Sequence, residues 1–335
     1  MELIAFIVLL VLGFFVIITE NSSILRYIYI PSVYLFMLIV RFNGFELGGY
    51  QKDILAYAKE MEGVLLFNEM YYIREFVFWF GIRFLYAITS SPFFSFIILD
   101  FIWIYFLIKV SKLIPSKQLG KGVIIVLSTS FPFLFGYENI YRQFYATILL
   151  LYAYSLINKN NNKVFWLFIA SIFIHNLALF TLPIFFIRKC YKFKLQDRFL
   201  ISSFLSLIIL VALPFLLHLK GIDATKIDLS FLYLFLFVGI FCFAVMKFKD
   251  NLYKLYNAVP SLFPVVMLMT GFIILQQEMI SERIGMMFLV FLLFDLYNYS
   301  ITIKSKLIRV SLRVLLLLVF TLPVFFADSS LKFLY

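Results

Sequence analysis

The stretch GYENIYRQFYA (136–146) places Glu138, Arg142 and Gln143 together between two long apolar runs. Other reactive or charged side chains sit just as conspicuously in apolar surroundings: Arg41, Asp53, Tyr57, Glu75, His175 and the adjacent Glu282–Arg283. A planar guanidinium grips a pyrophosphate through two parallel hydrogen bonds, so several arginines around one cavity suit that anion. A histidine titrating near neutrality is the natural general base for a sugar hydroxyl. The chain carries no Asp-x-Asp pair, no glycine-rich phosphate loop and no Cys/His cluster. The chemistry these groups imply is transfer from a phosphorylated lipid, with arginine charge rather than a metal or cofactor stabilising the leaving group.

Each residue also has a plainer reading. Arg41 at the end of an apolar run can snorkel to lipid headgroups. Glu138 and Arg142, four apart, can close an i,i+4 ion pair. His175 in an apolar run can be a hydrogen-bonded structural histidine, and Glu282–Arg283 an interface pair. Asp100 and Asp295 lie deep enough in apolar segments to need partners, and a bridge to a neighbouring helix satisfies that need.

The elements that position these groups are membrane helices. Charged residues make up 14% of the chain, against roughly 25% in an ordinary soluble domain, which excludes a soluble fold of this length. Apolar runs long enough to span hydrocarbon recur throughout. Backbone groups in lipid must pair within their own segment, so the fold is a helix bundle. Spans are expected at 2–19, 27–41, 93–109, 122–137, 142–157, 200–217, 231–247, 259–275, 283–299 and 311–327. The first is read as a retained helix rather than a signal peptide.

The net charge of +11 records topology rather than a nucleic-acid partner. Lys and Arg concentrate in 109–121, 158–163, 188–198, 247–254 and 304–313, where the only acids are Asp197 and Asp250; these are the cytoplasmic segments by the positive-inside rule. The opposite loops hold the candidates named first except His175, which is expected to reach that face from the segment 164–187. Cys190 and Cys242, in a cytoplasmic loop and a helix, suggest neither a disulfide nor a metal site.

Two stretches depart from simple spans. Residues 42–92 open on RFNGFELGGYQKD and form an outer-face, periplasmic loop followed by a partly inserted helix, 74–90. Ile54, Ala58, Met61 and Leu65 recur there at helical spacing, with Asp53, Tyr57 and Glu60 on a neighbouring face. Residues 164–187 lie between two basic loops, which demands an even number of crossings. A re-entrant or broken hairpin with His175 at its apex meets that demand; a single tilted span is the alternative.

The order R41…GGYQKDILAY57, E75FVFWF, Y141RQFYA, FIH175N and E282R283 resembles the EpsG-like and Wzy-type polysaccharide polymerases. That family shows an arginine, a Gly-x-Asp…Tyr stretch, a glutamate followed by aromatics, an Arg-Gln-x-x-Ala helix start and a histidine after an apolar run. The match runs in order over about 30–190 and more loosely beyond. The family's glycine–acid dipeptide is here spread out as Gly49-Tyr50-Gln51-Lys52-Asp53.

The resemblance implies a single integral-membrane domain over 1–335 with a glycosyltransferase-C-like fold: an all-α polytopic membrane protein of about 10–12 transmembrane helices with re-entrant or partly inserted segments. It implies a bacterial inner-membrane enzyme joining polyprenyl-pyrophosphate-linked oligosaccharide repeats, donor and acceptor both lipid-linked, on the outer face. A chain-length regulator and a flippase are the candidate protein partners. His175, Arg142 and Arg283 would carry the reaction; Arg41, Asp53, Tyr57, Glu75, Glu138, Gln143 and Glu282 would bind substrate. The rival readings are an O-antigen ligase or other lipid-linked glycosyltransferase, a membrane O-acyltransferase suggested by His175-Asn176, and a flippase or transporter.

Overall fold

A computed structural model describes residues 1–47, 52–63, 75–114, 119–157, 159–190, 193–218, 252–274 and 278–326. The expected span 231–247, with Cys242, lies outside the described residues, as do the glycines at 48–49, Leu65 and the side chain of Glu282. Described residues are helical throughout, without a strand. Five helices among them are long and apolar enough to cross a membrane: Glu2–Thr19, Ser22–Glu46, Pro92–Leu113, Arg283–Ile301 and Lys306–Phe325. The chain is thus a multi-pass helical membrane protein. Its contacts group into two compact units, one of 1–156, 161–176 and 300–335, the other of 157–160 and 177–299.

The first unit begins with α1 (Glu2–Thr19), which ends on Glu20 in the left-handed conformation. Asn21 then caps α2 (Ser22–Glu46), accepting from the amides of Ser23 at 2.8 Å and Ile24 at 3.2 Å. Leu25–Tyr29 runs as a π-turn inside α2. Pro31, two residues on, has no N–H to donate, and a widened turn absorbs the missing bond. Next come α3 (Lys52–Glu62), α4 (Phe76–Thr89) and α5 (Pro92–Leu113). Helix α4 rises about 21 Å, short of the roughly 30 Å hydrocarbon thickness.

The expected continuous span 122–137 is broken. It comprises α6 (Val123–Ser128) and α7 (Phe131–Glu138), and the bend across the break is 58°. Ser130 is extended and Pro132 opens the second piece, a combination that stops one helix and starts another. The run Ser128-Thr129-Ser130 supplies the polar groups such a buried break needs. Thr129 Oγ1 donates to Ile125 O at 2.9 Å and Ser130 Oγ to Leu127 O at 2.8 Å. Thr321 Oγ1 donates to the carbonyl of Thr129 at 3.0 Å. Non-helical backbone at membrane depth is tolerated only when partnered in this way.

Helices α8 (Tyr141–Leu156) and α9 (Asn161–Ile174) follow, and α15 (Lys306–Thr321), at the chain's far end, also belongs to this unit. Arg309 grips Glu20 with two nitrogens at 2.9 Å each, and Arg313 adds a third contact at 2.7 Å. These ties fasten the end of α1 to the start of α15.

After Asn176, the last residue of this stretch of the first unit, the 3-10 segment Asn176–Thr181 continues into the second unit, which holds α10 (Leu182–Lys189), α11 (Leu195–His218), α12 (Leu252–Ala258), α13 (Leu262–Ile274) and α14 (Glu278–Thr302) up to residue 299. Asp295, expected to need a partner, accepts from Arg188 Nη1 at 3.0 Å and from the Ser261 amide at 3.1 Å.

Candidate functional site

Helix α1 supplies the ruler for the first unit, since Glu2 and Glu20 stand 18 residues apart, about 27 Å along the axis. Arg309 and Arg313, from the basic segment 304–313, meet Glu20 at one end. At the other end Asn43 Nδ2 donates to Glu2. Arg41, two residues before Asn43, binds Asp100, which Tyr141, the neighbour of Arg142, also reaches.

The centre of this region is Glu75, just before the first turn of α4 and 5% exposed in its side chain. One oxygen accepts from Arg142 Nη1; the other stands 3.0 Å from His175 Nδ1. The Asn176 amide also donates to this carboxyl. Burial opposes ionisation of Glu75, but the hydrogen bond and charge of His175, then the charge of Arg142 and the Asn176 N–H, outweigh it. Its carboxyl is held below the usual glutamate range.

Arg142 is fixed on a second side. Its Nε donates to Tyr57 Oη at 3.2 Å, and its guanidinium lies 5.2 Å from the Tyr57 ring centre and 5.0 Å from that of Trp79. Tyr57 is placed by the amphipathic α3, whose Ile54, Ala58 and Met61 are buried at the expected spacing. Arg83 of α4 donates to the carbonyls of Glu60 and Gly63, closing the end of α3 against α4. His175 occupies the break between α9 and the following 3-10 segment. Its side chain is 13% exposed and that of Arg142 14%, so both reach the surface of a site whose carboxylate is enclosed.

A nitrogen facing a carboxylate carries the proton, which leaves His175 Nε2 as the basic nitrogen. The arrangement is an imidazole backed by a carboxylate, beside a guanidinium held by the same carboxylate. It can accept a proton from a hydroxyl, stabilise the resulting imidazolium and present positive charge to an anionic group. Among the described residues no group of three His, Cys, Asp or Glu side chains gathers closely enough to hold a metal ion.

Arg41 stands in a neighbouring cluster. It is fully buried, gives Nε and Nη2 to Asp100 at 2.8 and 3.1 Å, and lies 4.0 Å from the Tyr137 ring centre. Headgroup snorkelling is therefore replaced by the helix-to-helix bridge expected of Asp100. The i,i+4 pair between Glu138 and Arg142 does not form, because helix α7 ends at Glu138 and α8 starts at Tyr141. Glu138 is enclosed, with Glu2 and Arg41 as the charged groups acting on it, and no donor among the described residues reaches either of its oxygens. Gln143 is buried beside Arg142, and Asp53 is half-buried in the first turn of α3. Arg283 is exposed and belongs to the second unit.

Tyr137, Tyr141 and Trp103, which complete the Asp100 cluster, were not singled out by the sequence. Two tyrosines four apart around a charged corner were the available signal. Comparison with family profiles, curated proteins and solved structures finds no match to this chain.

Proposed function

We propose that this protein is a glycosyltransferase that joins polyprenyl-pyrophosphate-linked oligosaccharide repeats into surface polysaccharide at the outer face of a bacterial inner membrane. The reading adopts a glycosyltransferase-C-like bundle of about 10–12 crossings. One observation carries it: Glu75 holds Arg142 and His175 side by side, three residues from distant parts of the chain.

In this mechanism His175 Nε2 takes the proton of an acceptor sugar hydroxyl as its oxygen attacks the anomeric carbon of the donor. The bond from that carbon to pyrophosphate oxygen breaks, and the lipid pyrophosphate leaves with the bonding electrons. Glu75 stabilises the imidazolium formed on His175, and Arg142 faces the charge developing on the leaving group. General-base assistance of this kind contributes roughly 10²–10⁴-fold.

The test is the surface-polysaccharide ladder of a deletion strain carrying wild type, Arg142→Ala or His175→Ala at matched expression. A ladder from wild type and a single repeat unit from either variant is the expected result. A ladder from the deletion strain itself overturns the polymerase reading; full ladders from both variants overturn the site.

A further inference from the structure

We infer that Asp100 is a positioning residue for this site, acting through the corner between α7 and α8; the inference rests on the role proposed for Arg142. The carboxylate of Asp100 collects donors from four helices. Arg41 of α2 gives two, Trp103 of α5 gives Nε1 at 3.1 Å, Tyr137 of α7 gives its hydroxyl at 3.0 Å, and Tyr141 of α8 gives its hydroxyl at 2.8 Å.

Tyr137 and Tyr141 flank the break at Asn139–Ile140. One carboxylate thus clamps the chain on both sides of the corner, Oδ2 holding the end of α7 and Oδ1 the start of α8. Arg41 supplies the counter-charge and also reaches the carbonyl of Tyr137 at 3.5 Å. Arg142 is the next residue after Tyr141, and successive helical positions point about 100° apart. With Tyr141 tied to Asp100, α8 can turn neither way without carrying Arg142 off Glu75 and Tyr57. Tyr141 faces the clamp and Arg142 faces the site, so the fixed register of one fixes the other.

A carboxylate that served stability alone would need its bonds but not this placement. Tyr141→Phe separates the two roles, because it removes one hydrogen bond while keeping the ring and the Arg41–Asp100 pair. Asp100→Ala would strand the buried Arg41 charge and is the wrong probe.

The experiment replaces the two native cysteines (C190S, C242S), introduces Arg142→Cys, and follows the labelling rate of that thiol by a water-soluble maleimide, with and without Tyr141→Phe. Ladder length is read in parallel with Arg142 intact. Ile104→Val, a buried truncation elsewhere on α5, is the control for general loosening. Tyr141→Phe is expected to change labelling at 142 about ten-fold, the scale of one hydrogen bond to a charged group. It should also shorten chains through kcat with KM for the lipid-linked substrate unchanged, and Ile104→Val should do neither. Unchanged labelling overturns the positioning role, and equal effects from Ile104→Val reduce it to stability. Altered labelling with full-length chains leaves the clamp standing as geometry, and it is the assignment of Arg142 to the reaction that falls.

Discussion

Glu75→Gln is the most informative single change, because it keeps the shape of the side chain and removes only its charge. In the native site one oxygen accepts from Arg142 and the other faces His175 Nδ1 at 3.0 Å. Hydrogen bonds to a charged group are worth about 1.5–3 kcal/mol each. Glutamine retains one acceptor and turns the other into a donor, which then opposes a guanidinium or an imidazole N–H. Both partners are partly exposed and recover some solvation when released. The net cost is therefore about 2–3 kcal/mol rather than the full sum.

For a chain of 335 residues that loss corresponds to a fall in melting midpoint of roughly 3–4 °C. If the same interactions align the reacting groups, it corresponds to about a 30- to 150-fold loss of rate. Scanning fluorimetry on detergent-purified protein reads the first, and ladder length the second. The pH dependence supplies an internal check. The carboxyl of Glu75 sits below its unfolded value, so its contribution is fully present above that value, about 4.3. It is lost as pH falls through the lower folded value. The gap in midpoint between wild type and Glu75→Gln should thus be largest near neutrality and close on acidification below about pH 4. A variant with the wild-type midpoint and full-length chains at pH 7 would refute the bridge, and a gap that stays open below about pH 4 would refute its electrostatic origin.

Three other outcomes are expected. Glu20 is held below the usual carboxyl range, first by its hydrogen bond to Arg309 and then, against burial, by the charges of Arg309, Arg313 and Lys306; Glu20→Gln should cost about 1–2 kcal/mol at neutral pH and little below about pH 4, read by the same melting assay. Gly13→Ala would put a methyl 2.6 Å from Ile125 Cγ2 and 3.2 Å from the Tyr29 ring, so a loss of about 1–3 kcal/mol and a lower midpoint are expected from overpacking. Glu138→Gln should leave the midpoint within about 2 °C and the ladder intact, because the native carboxyl has no donor among the described residues to lose; a collapsed ladder would instead show that Glu138 serves the reaction.

Much of the first unit was legible because membrane helices write their length into apolar runs. The α3 periodicity of Ile54, Ala58 and Met61 gave its buried face correctly, and the cost of a lone carboxylate in an apolar segment foretold that Asp100 and Asp295 would be bridged. The break in 122–137 was hidden because hydropathy does not register backbone angles; Ser130 and Pro132 within an otherwise apolar run were its only mark. Partner choice was hidden for a different reason. Glu138 is four residues from Arg142 and Glu75 is 67 away, yet Arg142 binds Glu75. Spacing along a sequence predicts pairing only while the helix continues, and here it stops between 138 and 141.

The same reasoning explains why so few polar contacts determine so much of this chain. In lipid, apolar side chains gain little by leaving hydrocarbon for another helix, so hydrophobicity sets which segments insert but hardly which faces meet. A carboxylate or guanidinium has no such indifference, since leaving it unpaired at that depth costs several kcal/mol. Asp100 selects α2, α7 and α8 as neighbours of α5; Glu20 selects α15 for α1; Asp295 selects α10 within the second unit. The knots differ in exposure: Arg41 and Asp100 are enclosed, whereas the Arg188 side chain is 23% exposed and that of Glu20 14%. The Glu75 group combines the same partner-selecting charge with two side chains that reach the surface. What sets the Glu75 group apart is its chemistry, one ionised carboxylate holding both a guanidinium and an imidazole, and under the proposed function that pairing is what makes it a site.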